Sequence, residues 1–227
     1  TDFYQNGIIS TLHQFKDFNI QTLNAELEII SDEKPMELIL PSLFSELETD
    51  ALKNILEELK KINFLSHIII GLDRANKEQY LYAKNFFSAL KTPHSILWND
   101  GPRLKELQLE LEDLNLGPIE QGKGKNVWSC IGYTIARNAA EAIAFHDCDI
   151  KTYSTEILIK LLYPIVSNKM SYDFSKGFYP RYADGKLNGR VTRLLVTPLI
   201  KSLLIIFGNN EYLNYIDSFR YPLAGEF

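Results

Sequence analysis

The sequence predicts an α/β protein with a mostly parallel sheet flanked by helices on both faces. Short apolar segments at 36–40, 67–72 and 95–98 have the length of buried strands, and longer segments of helical period separate them. This alternation is typical of parallel sheets, because the crossover helices cover both faces. Ligands of such sheets bind beyond the carboxyl ends of the strands. The residues that follow each strand are therefore the first candidates for a functional site.

The element boundaries follow from apolar spacing and from turn residues. After an N-terminal arm, helices are expected at 22–30, 49–61, 77–90, 103–114, 127–137 and 191–207. The helix at 49–61 places Leu52, Ile55, Leu56 and Leu59 on one face. Pro41 is expected to close the first strand, and Pro198 to kink the last helix, because proline lacks the backbone donor. A further strand carrying Lys176 is expected at 172–179.

Length and composition indicate one main domain. The chain has 227 residues, 45% of them hydrophobic, which is enough for one substantial core. We expect an arm and helix at 1–35 and a single domain at 36–227. The chain begins at Thr1 without methionine and stops at Phe227 in an apolar context, which predicts a fragment truncated at its C-terminus.

The charge balance argues against nucleic acid or an anionic membrane as a partner. Lys and Arg number 24 against 29 Asp and Glu, so no overall positive field would attract a polyanion. The apolar runs are too interrupted for a membrane span. Cys130 and Cys148 lie far apart, outside any zinc spacing, and indicate reduced thiols. Together these features predict a cytoplasmic enzyme.

Asp147 and Asp149 follow an apolar stretch that begins at Ala142. In a strand this spacing puts both carboxylates on one face, and at the strand's carboxyl end they can bind a divalent cation that in turn holds a diphosphate. The alternative is two solvated aspartates at a turn. His146 should point to the opposite face and be buried against a helix, and Cys148 is expected to be a packed thiol.

The ends of the first two strands offer weaker candidates. The loop at 41–46 can present backbone groups and Glu46 to a base or a ribose, although a plain strand-to-helix loop explains it as well. Asp73 ends the second strand and could accept hydrogen bonds from ribose hydroxyls. It could equally be an ordinary capping residue.

A short glycine-rich segment, Gly122-Lys123-Gly124, precedes a helix. Free amides at a helix N-terminus together with a mobile cation favour phosphate. The segment lacks the spacing of a nucleotide-binding Walker loop, which argues against an ATPase. A solvated basic turn is the alternative.

A second basic cluster begins at position 176. Four cationic side chains lie near the N-terminus of the helix that begins at 191, and such a cluster suits a small acceptor that carries both phosphate and carboxylate. A basic surface loop is the alternative, although the forked donors of arginine favour a binding role. The four cations are Lys176, Arg181, Lys186 and Arg190.

In their order along the chain these motifs resemble the retaining glucosyl-3-phosphoglycerate synthases, which are glycosyltransferases of the GT-A fold. The matching stretches are Leu-Pro-Ser-Leu-Phe-Ser-Glu at 40–46, Gly-Lys-Gly at 122–124, Asp-Cys-Asp at 147–149, Lys-Gly-Phe-Tyr at 176–179, Asn-Gly-Arg-Val-Thr at 188–192 and Pro-Leu-Ala-Gly-Glu at 222–226. The resemblance covers 36–227 and implies a Rossmann-like GT-A domain.

The resemblance also implies a role for each matching residue. Asp149 would be the main protein ligand of Mg²⁺ or Mn²⁺, with Asp147 supporting the metal or binding the ribose, and Lys123 would contact the donor near its diphosphate. The uridine pocket would be lined by Pro41, Leu43 and Glu46. The acceptor would be held by Gly189, Arg190 and Thr192, beside Lys176 and Glu226.

This chain departs from the family pattern in three places. Phe44 and Ser45 replace an acidic or amide residue of the first loop, and Asp73 stands where the family has a serine-rich strand end. The family's metal-binding histidine lies downstream of the last matching block, beyond Phe227, so we expect an incomplete metal site in this chain.

The implied activity is transfer of glucose from UDP-glucose to the 2-hydroxyl of 3-phosphoglycerate, with retention at the anomeric carbon. A related transferase that uses a GDP-sugar, a nucleotide-sugar-binding protein without turnover, and a nucleotidyltransferase on a related sheet stay open as alternatives. The sequence also leaves open whether the protein is a homodimer.

Overall fold

A computed structural model of the chain describes residues 19–116, 120–170, 172–177, 182–183, 186–187, 191–218 and 226–227. The chain divides into two compact units. The larger unit comprises Phe18–Ser175 with Gly225–Phe227, and the smaller comprises Thr1–Asp17 with Lys176–Ala224. The predicted residues after the first, second and fourth strands all belong to the larger unit.

Strands and helices alternate through the larger unit, as the sequence predicts, and a further helix at Thr155–Val166 was not among the predicted ones. Its elements are α1 (Ile20–Ile30), β1 (Met36–Leu43), a 3₁₀ helix (Phe44–Glu48), α2 (Asp50–Leu59), β2 (Leu65–Asp73), α3 (Lys77–Phe87), β3 (His94–Trp98), α4 (Pro102–Asp113), α5 (Lys123–Arg137), β4 (Ala142–Phe145) and α6 (Thr155–Val166). Thr49 caps the N-terminus of α2, and its hydroxyl accepts a hydrogen bond from the amide of Leu52.

The four strands form one parallel sheet in the order β3-β2-β1-β4. Strand order therefore runs in one direction from β1 through β2 to β3, and in the other direction from β1 to β4. Such a reversal leaves a crevice at the carboxyl ends of the two strands that flank it. Here the crevice lies between β1 and β4. The parallel sheet flanked by helices confirms the predicted fold class.

The first strand does not close at Pro41 as predicted, but continues to Leu43. The amide of His146 donates to the carbonyl of Ile39 at 3.1 Å, so Ile39 faces β4, and Pro41 must face the same side because strand residues alternate. Pairing with β4 stops at Ile39, opposite Phe145. Pro41 therefore occupies a position where no partner strand requires its missing N–H group.

The core lies between the sheet and the helices. β1 and β2 are buried over nearly their whole length, as expected of parallel strands covered on both faces. The predicted apolar face of α2, Leu52, Ile55, Leu56 and Leu59, is buried. In the N-terminal helix α1, Leu23 and Leu27 are buried and α1 packs against α6. Helix α1 is thereby part of the larger unit.

One further boundary and one predicted strand differ from the structure. Helix α5 begins at Lys123 rather than at position 127, so the glycine-rich segment forms its first turn. The strand predicted at 172–179 is wrong over its described part, because 172–177 are in irregular structure. Apolar patterning alone does not make a strand, since its backbone groups need a neighbouring strand for pairing.

In the smaller unit, two short antiparallel strands, β5 (Tyr182–Ala183) and β6 (Lys186–Leu187), precede a π-helical turn at Thr192–Val196. α7 (Thr197–Phe207) and α8 (Glu211–Ser218) follow. Pro198 is the second residue of α7, directly after the π-helical turn, in a helical backbone that continues from position 191. A π-helical turn at this place is the kind of irregularity expected where proline removes a helical hydrogen bond. No helix of the residues described is both long and apolar enough to cross a membrane.

Candidate functional site

Polar residues from three segments meet at the crevice between β1 and β4. Glu46 follows β1, Asp147 and Asp149 follow β4, and Lys123 begins α5. The ammonium of Lys123 forms an ion pair with Oδ1 of Asp147. The charges of Asp149 and Asp147 also act on the carboxyl of Glu46. The structure thus brings together four of the residues singled out from the sequence.

The two aspartates lie in a turn after β4, not in the strand itself as predicted, because β4 ends at Phe145. Their outward orientation nevertheless holds, since Asp149 is exposed and Asp147 is half-buried while Cys148 between them is 1% exposed. Burial raises the pKa of the Cys148 thiol, which therefore stays protonated. This agrees with the prediction of a packed thiol. Both carboxylates remain accessible to a ligand.

His146 is buried, as predicted from its position before the aspartates. Its side chain is inaccessible to solvent, and this desolvation lowers the pKa of the imidazole to about 3. The ring is therefore neutral at physiological pH. Its Nδ1 is hydrogen-bonded to the hydroxyl of Tyr153 at 2.9 Å.

Glu46 is held in place by the end of β1. Its Oε2 accepts a hydrogen bond from the amide of Leu43 at 2.9 Å. Burial, followed by the nearby charges of Asp149 and Asp147, raises the pKa of Glu46, although the hydrogen bonds from Leu43 and Ser42 oppose this. A cation bound by the aspartates would relieve the repulsion. Pro41 is buried in the strand below, and Leu43 is half-buried.

The start of α5 has the features of an anion site. Gly122 precedes the helix with φ 156° and ψ −179°, a conformation that is essentially restricted to glycine. The first amides of the helix that follows have no partner within the helix. With the half-exposed ammonium of Lys123 they can bind phosphate oxygens.

Helix α5 is fixed against β2 by Asn126, a residue that was not among those predicted from the sequence. This side chain is 3% exposed and donates from Nδ2 to the carbonyl of Gly71 at 2.7 Å. A Cβ atom at Gly71 would lie 1.9 Å from Oδ1 of Asn126 and 2.6 Å from Sγ of Cys130. Lys123 lies one turn before Asn126 on the same face of α5. No local sequence pattern indicates this contact, because it depends on Gly71 facing Asn126 across the core.

Asp73 has a local structural role. Its Oδ1 accepts from the amide of Arg74 at 3.0 Å, in a turn where Arg74 has φ 55°. Asp73 also borders a cavity of about 390 Å³ between α4 and α5, together with Asn99 and Lys125. No hydrogen bond among the described residues joins Asp73 to Lys123 or the paired aspartates. Asp73 does not cap a helix, because Asn76 is the capping residue of α3, and the hydrogen bond of Asp73 stays within the turn. Its predicted role toward ribose hydroxyls stays a prediction.

The predicted acceptor residues are only partly described. Arg181, Gly189 and Arg190 lie outside the described residues, as does the side chain of Lys186. Thr192, at the start of the π-helical turn, is buried, and Lys176 is half-buried. These residues belong to the smaller unit.

Glu226 lies near the end of β4 in the larger unit and is 8% exposed. Its neighbour Phe227 exchanges backbone hydrogen bonds with Phe145, the amide of Phe227 donating at 3.2 Å. The two phenylalanine rings stack with their centroids 4.6 Å apart. Since Phe145 is two residues before Asp147, this bridge places Glu226 beside the segment that carries the aspartates.

The chemistry of this site fits Mg²⁺ or Mn²⁺ bound jointly with a phosphate ligand. Within the described part of the chain, no three His, Cys, Asp or Glu side chains are grouped closely enough to hold a metal ion by themselves. Mg²⁺ commonly binds one or two carboxylates and takes its other ligands from water and substrate phosphates. Asp147 and Asp149 supply such a pair, and Lys123 with the start of α5 offers the neighbouring phosphate site.

Comparison with known proteins identifies relatives of the chain along its whole length. No protein-family model matches it. A glucosyl-3-phosphoglycerate synthase of Persephonella marina is 46% identical over 226 residues, and one of Methanococcoides burtonii is 39% identical over 229 residues. Each alignment includes all of this chain, but only 56% and 55% of the relative. The chain thus spans about half the length of these relatives, and its resemblance to the family is confirmed.

Solved structures share the fold. A glucosyl-3-phosphoglycerate synthase of Mycobacterium tuberculosis in complex with Mn²⁺, UDP-glucose and phosphoglyceric acid aligns with a TM-score of 0.60 at 18% identity. The alignment covers 95% of this chain and 61% of that structure. The same enzyme with phosphoglyceric acid alone gives a TM-score of 0.59, with coverage of 94% and 61%. At this identity the similarity establishes the GT-A fold.

Proposed function

We propose that the protein carrying this chain transfers glucose from UDP-glucose to the 2-hydroxyl of 3-phosphoglycerate, with retention at the anomeric carbon. The premise is that the whole chain is homologous to part of two glucosyl-3-phosphoglycerate synthases. The observation that carries the proposal is the ion pair between Lys123 and Asp147 at the crevice, beside Asp149 and Glu46. It joins a phosphate-binding group to a cation-binding group, as a metal-bound nucleotide diphosphate requires.

The donor half of the reaction uses Lys123 and the first turn of α5. Without ligand the ammonium is paired with Asp147, so an arriving diphosphate competes for it. In the proposed complex Lys123 neutralises charge that grows on the departing UDP, and the helix amides add fixed donors. Glu46 and Leu43, at the end of β1, line the side on which the uridine would lie, with Pro41 below them.

Asp149 and Asp147 would hold Mg²⁺ or Mn²⁺. A divalent ion there would stabilise the leaving diphosphate as a Lewis acid. The histidine that completes the family's metal site would come from beyond Phe227. Asp149→Ala is expected to abolish turnover, because its exposed carboxylate is the more available of the two.

The acceptor assignment rests on the family resemblance. Arg190 and Gly189, with Thr192 at the start of the following helix, would bind the phosphate and carboxylate of 3-phosphoglycerate, and Lys176 would add positive charge. Glu226 would contact the sugar or position the acceptor. Arg190→Ala is expected to raise the acceptor KM with a smaller effect on kcat. A protein base is unnecessary if the leaving phosphate takes the hydroxyl proton on the same face.

We place the enzyme in the cytoplasm.

The decisive experiment measures UDP release by the full-length protein from UDP-glucose with Mg²⁺, with and without 3-phosphoglycerate. Release that requires 3-phosphoglycerate supports the proposal, and an Asp149→Ala variant should remove it. Slow release without acceptor would retain the donor site and overturn the acceptor. No release from UDP-glucose, but turnover of GDP-glucose or GDP-mannose, would change the donor. Binding of UDP without any product would indicate a nucleotide-sugar-binding protein, and pyrophosphate formed from a nucleoside triphosphate would indicate nucleotidyl transfer.

A further inference from the structure

His146 and Tyr153 enclose the turn that carries both aspartates. Nδ1 of His146 lies 2.9 Å from the hydroxyl of Tyr153, and the two rings meet edge to face with centroids 5.3 Å apart. Six residues, 147–152, separate the two side chains along the sequence. The exposed carboxylate turn is therefore closed at its base by a buried contact.

Each side of this contact is attached to a different element of the core. The amide of His146 donates to the carbonyl of Ile39 in β1 at 3.1 Å. The carbonyl of Tyr153 accepts from Nδ2 of Asn54 in α2 at 3.0 Å. His146 is fully buried and Tyr153 is 3% exposed, whereas Asn54 is half-buried. The turn thus has two fixed ends, on β1 and on α2.

A histidine at position 146 carries an energetic penalty. No hydrogen-bond partner for its Nε2 occurs in the described part of the chain, although the atom is buried. A buried polar atom without a partner is unfavourable, and an apolar side chain would avoid that cost. The contact that favours histidine at this position is the one through Nδ1 to Tyr153.

We propose that the His146–Tyr153 contact is a positioning device that pre-forms the Asp147–Asp149 turn for its divalent cation. A free turn would lose conformational freedom when the cation binds, which weakens the affinity, whereas a turn already closed at its base loses less. Neither residue touches the ion, so both act through the aspartates. This inference rests on the proposed metal-dependent function.

The test compares two tyrosine-to-phenylalanine changes in the full-length protein. Tyr153→Phe removes the hydroxyl that meets His146. Tyr163→Phe is the matched control, because Tyr163 is also buried and lies outside the turn. Its hydroxyl donates at 2.6 Å to Oε2 of Glu26, which belongs to α1. Mn²⁺ affinity is measured by calorimetry with UDP present. We expect about three- to tenfold weaker Mn²⁺ binding in Tyr153→Phe and an unchanged affinity in Tyr163→Phe.

A second pair of variants addresses the histidine. The amide of His146→Asn can occupy the place of Nδ1, so this variant should bind Mn²⁺ within about twofold of wild type. His146→Leu introduces an apolar side chain and removes the polar partner of the Tyr153 hydroxyl. It should weaken Mn²⁺ binding as Tyr153→Phe does. Equal Mn²⁺ affinity in wild type, Tyr153→Phe and His146→Leu would overturn the proposal.

A measurement without ligand separates this proposal from the proposed function. Amide hydrogen exchange of residues 147–150 should accelerate several-fold in Tyr153→Phe, and not in Tyr163→Phe, in the absence of metal and nucleotide. If wild type binds neither Mn²⁺ nor UDP, the proposed function fails, and the exchange result still decides whether the contact orders the turn. Unchanged exchange in Tyr153→Phe would refute the positioning role.

Discussion

Nδ2 of Asn126 donates to the carbonyl of Gly71 at 2.7 Å, and this contact leaves no room for a side chain at position 71. It fixes the distance between α5 and β2 at the level of the crevice. Lys123 is one helical turn away, so its ammonium reaches Asp147 from a helix that is held by a short buried hydrogen bond. The charge at the site therefore depends on a close backbone approach inside the core.

Gly71→Ala is expected to destabilise the protein by about 1–3 kcal/mol, because the new methyl group would displace Asn126 and Cys130. Gly132→Ala is the control, since Gly132 lies on an exposed part of α5 where an added Cβ meets no atom within 4 Å. That change should raise stability by about 0.5–1 kcal/mol through helix propensity. Urea denaturation measures both, and similar values for the two variants would contradict the proposed tight approach.

Lys123→Met is expected to weaken binding of UDP in the presence of Mg²⁺ by about tenfold, because a charge-assisted hydrogen bond to the diphosphate is lost. Lys125→Met removes the same charge from the same helical turn and serves as the control. Its affinity for UDP should change by less than about threefold. Titration calorimetry distinguishes the two, and an equal loss in both variants would mean that only the overall charge of the turn matters.

The buried Glu37 depends on Arg137 for its only described ion pair, with Nε 3.3 Å from Oε1. Arg137→Met should lower the free energy of unfolding by about 2–3 kcal/mol, because Glu37 would remain buried without a cation. Replacing both residues by methionine should restore most of the loss. Lys53→Met, which breaks an exposed pair on α2, should have no measurable effect. If the double variant is as unstable as the single one, the uncompensated charge of Glu37 is not the cause of the lost stability.

The free energy of unfolding is expected to decrease as the pH falls from 7 to 5, because His67 is protonated in the unfolded chain and neutral in the folded one. Burial, aided by the charges of Arg137 and His94, lowers the pKa of His67 to about 4, whereas the unfolded chain takes up a proton near pH 6.5. Between these values the unfolded state binds more protons, so stability decreases as pH falls. His67→Gln keeps a polar group for Ser95, which lies 2.9 Å from Nε2 of His67. This variant should lose about 1–2 kcal/mol less than wild type between pH 7 and 5 in urea denaturation.

The sequence was sufficient for the order of strands and helices from β1 to β4, whereas α6 and α8 were not among the predicted helices. It also singled out the crevice residues that the structure brings together, and their donor-binding roles stay predictions. Buried strands read as apolar runs, and the residues of the crevice come directly after such runs, as Glu46 and Asp147 do. Their convergence needed no long-range information beyond the rule that parallel strands end at one edge. The helix face of α2 followed from spacing alone.

Other features depend on tertiary pairing, which local patterns do not reveal. Whether Pro41 ends a strand depends on where the neighbouring strand stops, and the irregular 172–177 segment lacks the ladder that its apolar pattern suggested. The role of Asn126 arises only because Gly71 faces it across the core. A residue of this kind has no recognisable local motif.

The position of Pro41 has a consequence for solubility. β1 extends four residues beyond its last pairing with β4, and an unpaired stretch of strand is a template for another chain. With no N–H to offer at its centre, this stretch cannot add a full strand from a neighbouring molecule. On β4, the neighbouring strand, Phe227 occupies the N–H and C=O groups of Phe145, which point away from β1. Addition of a foreign strand is therefore disfavoured both along the free stretch of β1 and at this point on the outer edge of β4.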